Sequence, residues 1–461
     1  MRLAMLFLMV SFLAGERAQD LRHEVEVRET GEAPWRRVPL VEVNVAKSDG
    51  VRRWTDKMEV AKFSFANGHV DVRVRRIAPW REVAIRPLSR RIVAKTDDEG
   101  FVTFRLERPF YGVVEFDGAR FGNLAVFADR PMSPRGDETY SFGPGRHVLD
   151  KPLTLKSGES VWLDENAVVD GRVVVTNAEN VVVRGLGALR PRMVGPDGRP
   201  GVAVANSKNV TIDGPFLTTC PVGGSENVSI SNVKSVSAFR WGDGLNVFAS
   251  TNVTYRNIFA RTSDDCTTAY ATRKGFNGGV NGIDMQGAVL WADVAHPIEI
   301  GLHGNVAVGD VIENLVYRDI DILDQMEMQI DYQGALAITC GDNNTVRNVL
   351  FDDIRIERLR HGSLAHVRVV YNRKYCAAPG RLVENIVFRN ITMDASGAMP
   401  SIVSGYDGTR EVRGVRFENL IIGGERIYDK MARRPSWYKT ADFLPMFVGE
   451  HVRDLVFVDG E

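Results

Sequence analysis

Cysteine is scarce: four residues in 461, at Cys220, Cys266, Cys340 and Cys376. They are too few and too scattered for the disulfide framework that holds a small secreted domain together. They read instead as small buried hydrophobes, with pairing in an oxidising compartment as the other option. Net charge is lacking too, with 58 Lys and Arg against 59 Asp and Glu. No field of one sign therefore draws the chain to nucleic acid or to an anionic membrane surface. There is no Gly-x-Gly-x-x-Gly after a strand, no P-loop, no His-Glu-x-x-His and no Cys-x-x-Cys, so no cofactor and no metal is expected. Long apolar runs are missing as well. The opening MRLAMLFLMVSFLAG sets one basic residue before an apolar run. That run falls short of the roughly 20 residues a membrane span needs. It predicts a signal peptide over 1–18, cleaved around 15–18, and a secreted or periplasmic protein. A hydrophobic N-terminal strand is the competing reading.

What is present is a strand rhythm. From about 19 to 135, short alternating segments such as VEVNVA, KMEVAKFSFA, HVDVRVRR and FVTFRL are separated by Gly, Asp and Pro. They predict a β-sandwich. The stretch PMSPRGDETYSFGPGRH reads as the junction. From 136 to 461 one template recurs: NVVVRG at Asn180, NVTIDG at Asn209, NVSISN at Asn227, NVTYRN at Asn252, NLVYRD at Asn314, NVLFDD at Asn348, NIVFRN at Asn385 and GVRFEN at Gly414. A single short strand cannot bury its apolar face alone and must stack on its neighbours. The expected fold class is therefore all-β, an N-terminal β-sandwich followed by a right-handed parallel β-helix. Leading Asn residues suit its corners, because Asn tolerates left-handed backbone and its amide can bond to the amide one coil away.

Two segments depart from the template, RWGDGLNV at 240–247 and RTSDDCTTAY at 261–270. Asp243 and Asp264 are close to one repeat apart, so they are expected on adjacent coils about 4.8 Å apart, with Asp265 beside them. Carboxylates that close raise each other's pKa, and one is expected to keep its proton near neutrality. Glycoside hydrolysis needs that pairing of an acid with a base. A solvated turn or a calcium site built from the same oxygens is the competing reading.

DGLN, SDDC and AHPIEIG, in that order, resemble the motif series of the glycoside hydrolase clan that holds the polygalacturonases and the dextranase and isopullulanase family. SFGPGRHVLDKPLTLKSGESVWLDENAVVDG is similar to the opening coil of the dextranase-type enzymes, whose architecture also sets a β-sandwich before the β-helix. The resemblance implies Asp264 as general acid, Asp243 and Asp265 as the pair that holds and deprotonates water, and His296 as the histidine that tunes the acid. His303, in GLHG, competes with His296 for that place. The resemblance implies inversion, whereas stacked coils suggest the shorter carboxyl separation of retaining enzymes.

The Arg-x-Lys pair with which polygalacturonases meet substrate carboxylates is missing from the corresponding segment, GALAITCGDNN at 334–344. The expected partner is therefore a neutral polysaccharide, such as an α-glucan. Arg256, Arg273 and Lys274 keep a pectin reading open, and a uronate lyase or a non-catalytic carbohydrate-binding β-helix completes the alternatives. Trp241, Tyr270, Trp291 and Tyr332 are candidate sugar platforms, with Trp291 as a subsite wall. Asn246, Asp293 and Glu299 are candidate ligands for sugar hydroxyls. The oligomeric state is open.

Overall fold

Beyond residue 140, pairs of left-handed residues bracket each short strand: Asn227 and Asn232, Asn252 and Asn257, Asn385 and Asn390, with Asp353 or Asp319 second and Gly414 first in other coils. Asn, Asp and Gly enter that conformation at low cost, which is why the template begins and ends on them. The corner amides also bond from coil to coil. Asn209 Nδ2 donates to Asn180 Oδ1 at 3.0 Å, Asn227 to Asn209 at 3.1 Å and Asn252 to Asn227 at 3.1 Å. The ladder resumes from Asn281 through Asn314 and Asn348 to Asn385.

This computed structural model describes residues 22–460 apart from 30–33, 50, 51, 67, 191–198, 395 and 397; the expected signal peptide lies outside the described residues. Each coil has three faces. Long strands such as Thr251–Thr262 cover two of them, bending at Asn257, so that the first half pairs with Glu226–Ser231 and the second half with Lys234–Val236. Short strands form the third face, a parallel sheet of eleven. From Tyr140 on, the chain forms a right-handed parallel β-helix. Its interior is one apolar column in which Tyr317, Phe351, Phe388, Phe417 and Phe457 stack at 4.6–5.5 Å between ring centroids.

Residues 23–129 form two five-stranded sheets around their own core of Val25, Phe63, Val72, Phe104 and Val126. One of these sheets covers the outer side of the second face. Val43, Met58, Val60 and Phe127 meet Phe216, Phe259, Val289 and Trp291 in a shared apolar layer. Buried ion pairs cross or line that layer. Lys234 Nζ lies 2.9 Å from Asp129, and Arg86 reaches both Glu115 and Glu357.

Asn252→Ala puts a side chain without an amide at a left-handed corner and breaks one rung of the ladder. It is expected to lower stability by about 2 kcal/mol. Asn252→Gly keeps the backbone and is expected to lose about half as much. Denaturation midpoints of the two variants check this, and equal midpoints for both and the parent would remove the corner role.

Candidate active site

The turn from the second face to the third carries the sequence-predicted aspartates, and strand register fixes where they stand. Leu245 pairs with Thr267, and Thr267 with Ile298. Counting back two residues on each coil puts Asp243, Asp265 and His296 in one column along the helix axis. Asp264 is offset by one residue, so Asp265 rather than Asp264 is the true neighbour of Asp243 one coil on. Gly242 and Gly244 make the close approach possible. A Cβ at Gly242 would come within 2.3 Å of Ser263 Oγ, and one at Gly244 within 2.6 Å of the Cys266 carbonyl.

Hydrogen bonds tie the column together. The His296 backbone N–H and its Nδ1 both donate to Asp265 Oδ1, at 3.1 and 2.7 Å. His296 Nε2 donates to the Tyr332 carbonyl at 2.6 Å. With an acceptor oxygen at each ring nitrogen, the imidazole must carry both protons. Burial opposes that charge, but the Asp265 carboxylate outweighs it and lifts the His296 pKa to about 10. Tyr270 Oη donates to the other oxygen of Asp265 at 3.1 Å, and Asn246 Nδ2 donates to Asp243.

The remaining carboxyls pay for their confinement in proton affinity. Burial, then the charge of Asp265, pushes Asp243 up to about 6. Burial and the charges of Asp243 and Asp265 push Asp264 well above the carboxylate range, against the pull of Arg53 and His296. At neutral pH the cluster thus holds a protonated Asp264 beside an ionised Asp243. Burial also raises Glu299 to about 8. Among the described residues no group of three or more His, Cys, Asp and Glu side chains is arranged to hold a metal ion.

The other candidates divide. Trp241 stands two residues before Asp243, 61% exposed, with φ of 54° and the Arg240 guanidinium 4.0 Å from its ring. A bulky residue held left-handed and exposed is a strained arrangement of the kind kept where a surface is used. Asn246, Tyr270, Glu299 and Tyr332 line the third face beside the column and are buried, and Asn246 Oδ1 and Glu299 Oε2 have no hydrogen-bond partner. His303 packs its ring against Tyr270 at 5.0 Å and lies 3.9 Å from Asp342, away from the aspartates.

Two expectations fail. Trp291 is 0% exposed and sits in the layer beneath the N-terminal sheets, 4.1 Å from the Arg261 guanidinium, so it cannot be a subsite wall. Asp293 is equally buried, and both of its oxygens accept from Arg261, at 2.8 and 3.1 Å, which leaves no role with sugar hydroxyls. Both side chains do point outward, but on the face that the N-terminal sheets cover.

Cations gather around the aspartates. Arg273 and Lys274 lie within electrostatic range of Asp243, and Arg53 within range of Asp264. Arg273 Nη1 is buried without a partner. Arg256 is tied to Asp284 instead. Arg53 opens the strand Arg53–Ser64 of the N-terminal sheets, and no motif marks it in the sequence.

Solved structures were compared with this arrangement. Dex49A from Penicillium minioluteum superposes with a TM-score of 0.56 at 14% identity, over 95% of this chain and 94% of that one. The chain shares that fold. The Family 28 exopolygalacturonase of Yersinia enterocolitica superposes with a TM-score of 0.47 at 12% identity, over 84% of this chain and 96% of that one. No family model matches the chain, nor does any curated protein.

Two variants separate packing from chemistry. Trp291→Ala is expected to cost about 3–5 kcal/mol of stability, seen in the thermal midpoint. Asp264→Asn is expected to raise Tm. Because the folded-state pKa of Asp264 lies above its unfolded value, stability is lost as pH climbs from the unfolded value through the folded one. The gain should therefore be present at about pH 7 and absent at about pH 3. An equal gain at both values would contradict a proton held on Asp264.

Proposed function

We propose that the protein is a secreted glycoside hydrolase, with a sandwich over 19–135 and a catalytic β-helix over 136–461, acting on a polysaccharide by inversion. The observation that carries this reading is the column of Asp243, Asp265 and His296 on successive coils with Asp264 beside it, in which Asp264 keeps its proton and Asp243 does not. Asp264 gives its proton to the glycosidic oxygen as the bond from that oxygen to the anomeric carbon breaks. A water held by Asp243 and Asp265 attacks the anomeric carbon from the opposite side, and its proton passes to Asp243. His296 neutralises Asp265 and orients it for that water. Trp241 offers a flat ring to a sugar face, and the unpartnered Asn246 Oδ1 suits a sugar hydroxyl, whereas Glu299 is fully buried against Thr339.

The substrate favoured by the missing Arg-x-Lys pair is a neutral glycan such as an α-glucan. A specific observation supports a second reading, an acidic glycan of the pectin type: the unpartnered Arg273 Nη1, with Lys274 and Arg53 nearby, is suited to a substrate carboxylate.

A panel of dextran, pullulan, arabinan and polygalacturonate, assayed for reducing ends, distinguishes the two readings. Against the glycan that is cut, Asp264→Asn and Asp243→Asn are each expected to lower kcat by roughly 10³-fold with binding retained. Activity is expected to fall as pH drops through about 6, where Asp243 takes up a proton. Absence of hydrolysis on every glycan would sink the enzyme reading.

A further inference from the structure

The third face bears the site on its outer side, and one coil beyond His296 that surface is crossed from edge to edge. The turn between Val311–Asp324 and Gly334–Cys340 runs over 325–333, whereas the one between Thr251–Thr262 and Thr267–Tyr270 runs only over 263–266. The longer segment lies over the sheet. Ala337 and His366 occupy outward positions, alternating with the interior Leu336, Ile338, Ala365 and Val367, yet both are 0% exposed. The segment is pinned at several points. Gln333 Nε2 donates to the Glu327 carbonyl at 2.8 Å, Gln325 Nε2 to the Gln333 carbonyl at 3.0 Å, and the Glu327 N–H to the His361 carbonyl at 2.8 Å.

From the opposite edge of the face the loop 371–380 comes to meet it. Gln329 Nε2 donates to Tyr375 Oη at 3.2 Å, and Lys374 Nζ donates to Gln329 Oε1 at 3.1 Å. The Tyr332 and Tyr375 rings stack at 5.5 Å, inclined by 25°. The bridge so formed starts at the catalytic column itself, because the Tyr332 carbonyl accepts from His296 and the Tyr332 ring stands edge-on to the imidazole at 4.4 Å. The second face is covered by the N-terminal sheets on the neighbouring coils. Ala46 packs there on Val294 and Ala295, and Arg86 and Leu88 reach Glu357, two coils past His296.

We infer that the site is a groove stopped at one end, so that the enzyme works from a chain end and releases short products of one size. This rests on the glycoside hydrolase reading above. A through-chain would need an unobstructed track on both sides of Asp243 and Asp264. On the side of the later coils, the Gln329–Tyr375 bridge lies across that track. A glycan can enter only until its terminal unit meets Tyr332, and the distance from that stop to the aspartates sets the product length.

The experiment follows viscosity and product size together on whichever of dextran, pullulan, arabinan and polygalacturonate the native protein cuts. Reducing ends are expected to accumulate while viscosity stays nearly constant, with a single short product from the first time point. A variant combining Gln329→Gly with Tyr375→Ala opens the bridge and is expected to shift products towards a ladder of sizes. Its thermal midpoint confirms that it folds. Rapid viscosity loss with a ladder from the native protein overturns the chain-end inference and leaves the hydrolase reading standing. An unaltered product size in the folded double variant overturns the assignment of the stop to this bridge. No hydrolysis of any glycan overturns the hydrolase reading and this inference with it.

Discussion

Parallel hydrogen bonding between coils holds each third-face strand in fixed register with the next, and the site inherits its geometry from that register. Coils repeat about every 4.8 Å, so side chains at equivalent positions are brought to near contact whatever their charge. Asp243, Asp265 and His296 are equivalent positions. The left-handed asparagine corners keep the register from slipping, since a shift by one residue would force branched side chains into that conformation and break the amide ladder.

Like charges at coil spacing are unfavourable, and the structure relieves them unevenly. Asp265 receives an imidazolium, a backbone N–H and a tyrosine hydroxyl. Asp264 has no comparable set of partners and keeps its proton. Asp243 lies between these extremes, with one amide from Asn246 and the distant cations Lys274 and Arg273. Burial and neighbouring charge, with the Asn246 amide on Asp243 alone, thus set the proton affinities of Asp243 and Asp264 apart without any change of residue type.

Much of this was legible in the sequence. The Asn-led template announces the corners because the backbone there admits few residue types, and DGLN, SDDC and AHPIEIG mark the coils that carry the column. Motif spacing places Asp243 and Asp264 on adjacent coils, but it counts the turn as well as the strand, and with a longer turn before Leu245 than before Thr267 it does not show that Asp265 is the register partner of Asp243. Trp291 and Asp293 were assigned to substrate because alternation says which side chains face outward and not what covers them. Arg53 and Tyr375 carried no signal, since each reaches the site from a segment whose local pattern is that of any hairpin or loop.

The misassigned pair explains why the N-terminal sheets matter to the chemistry. Asp293 precedes His296 by three residues, its backbone N–H bonds to the Thr262 carbonyl at 2.9 Å, and its carboxylate is gripped by Arg261. Arg261 in turn donates to Asn123 Oδ1 at 3.1 Å and to the Arg120 carbonyl at 2.9 Å, both in the turn that joins strands Phe110–Phe116 and Leu124–Asp129 of the N-terminal sheets. The turn that presents His296 to Asp265 is therefore clamped from behind by a buried ion pair anchored outside the β-helix. Breaking one partner of such a pair leaves an uncompensated buried charge. A rigid clamp there holds the imidazolium against Asp265, one residue from the protonated Asp264. The N-terminal sheets thus bear on the site in two ways, through position from the second face and through the charge of Arg53 near Asp264.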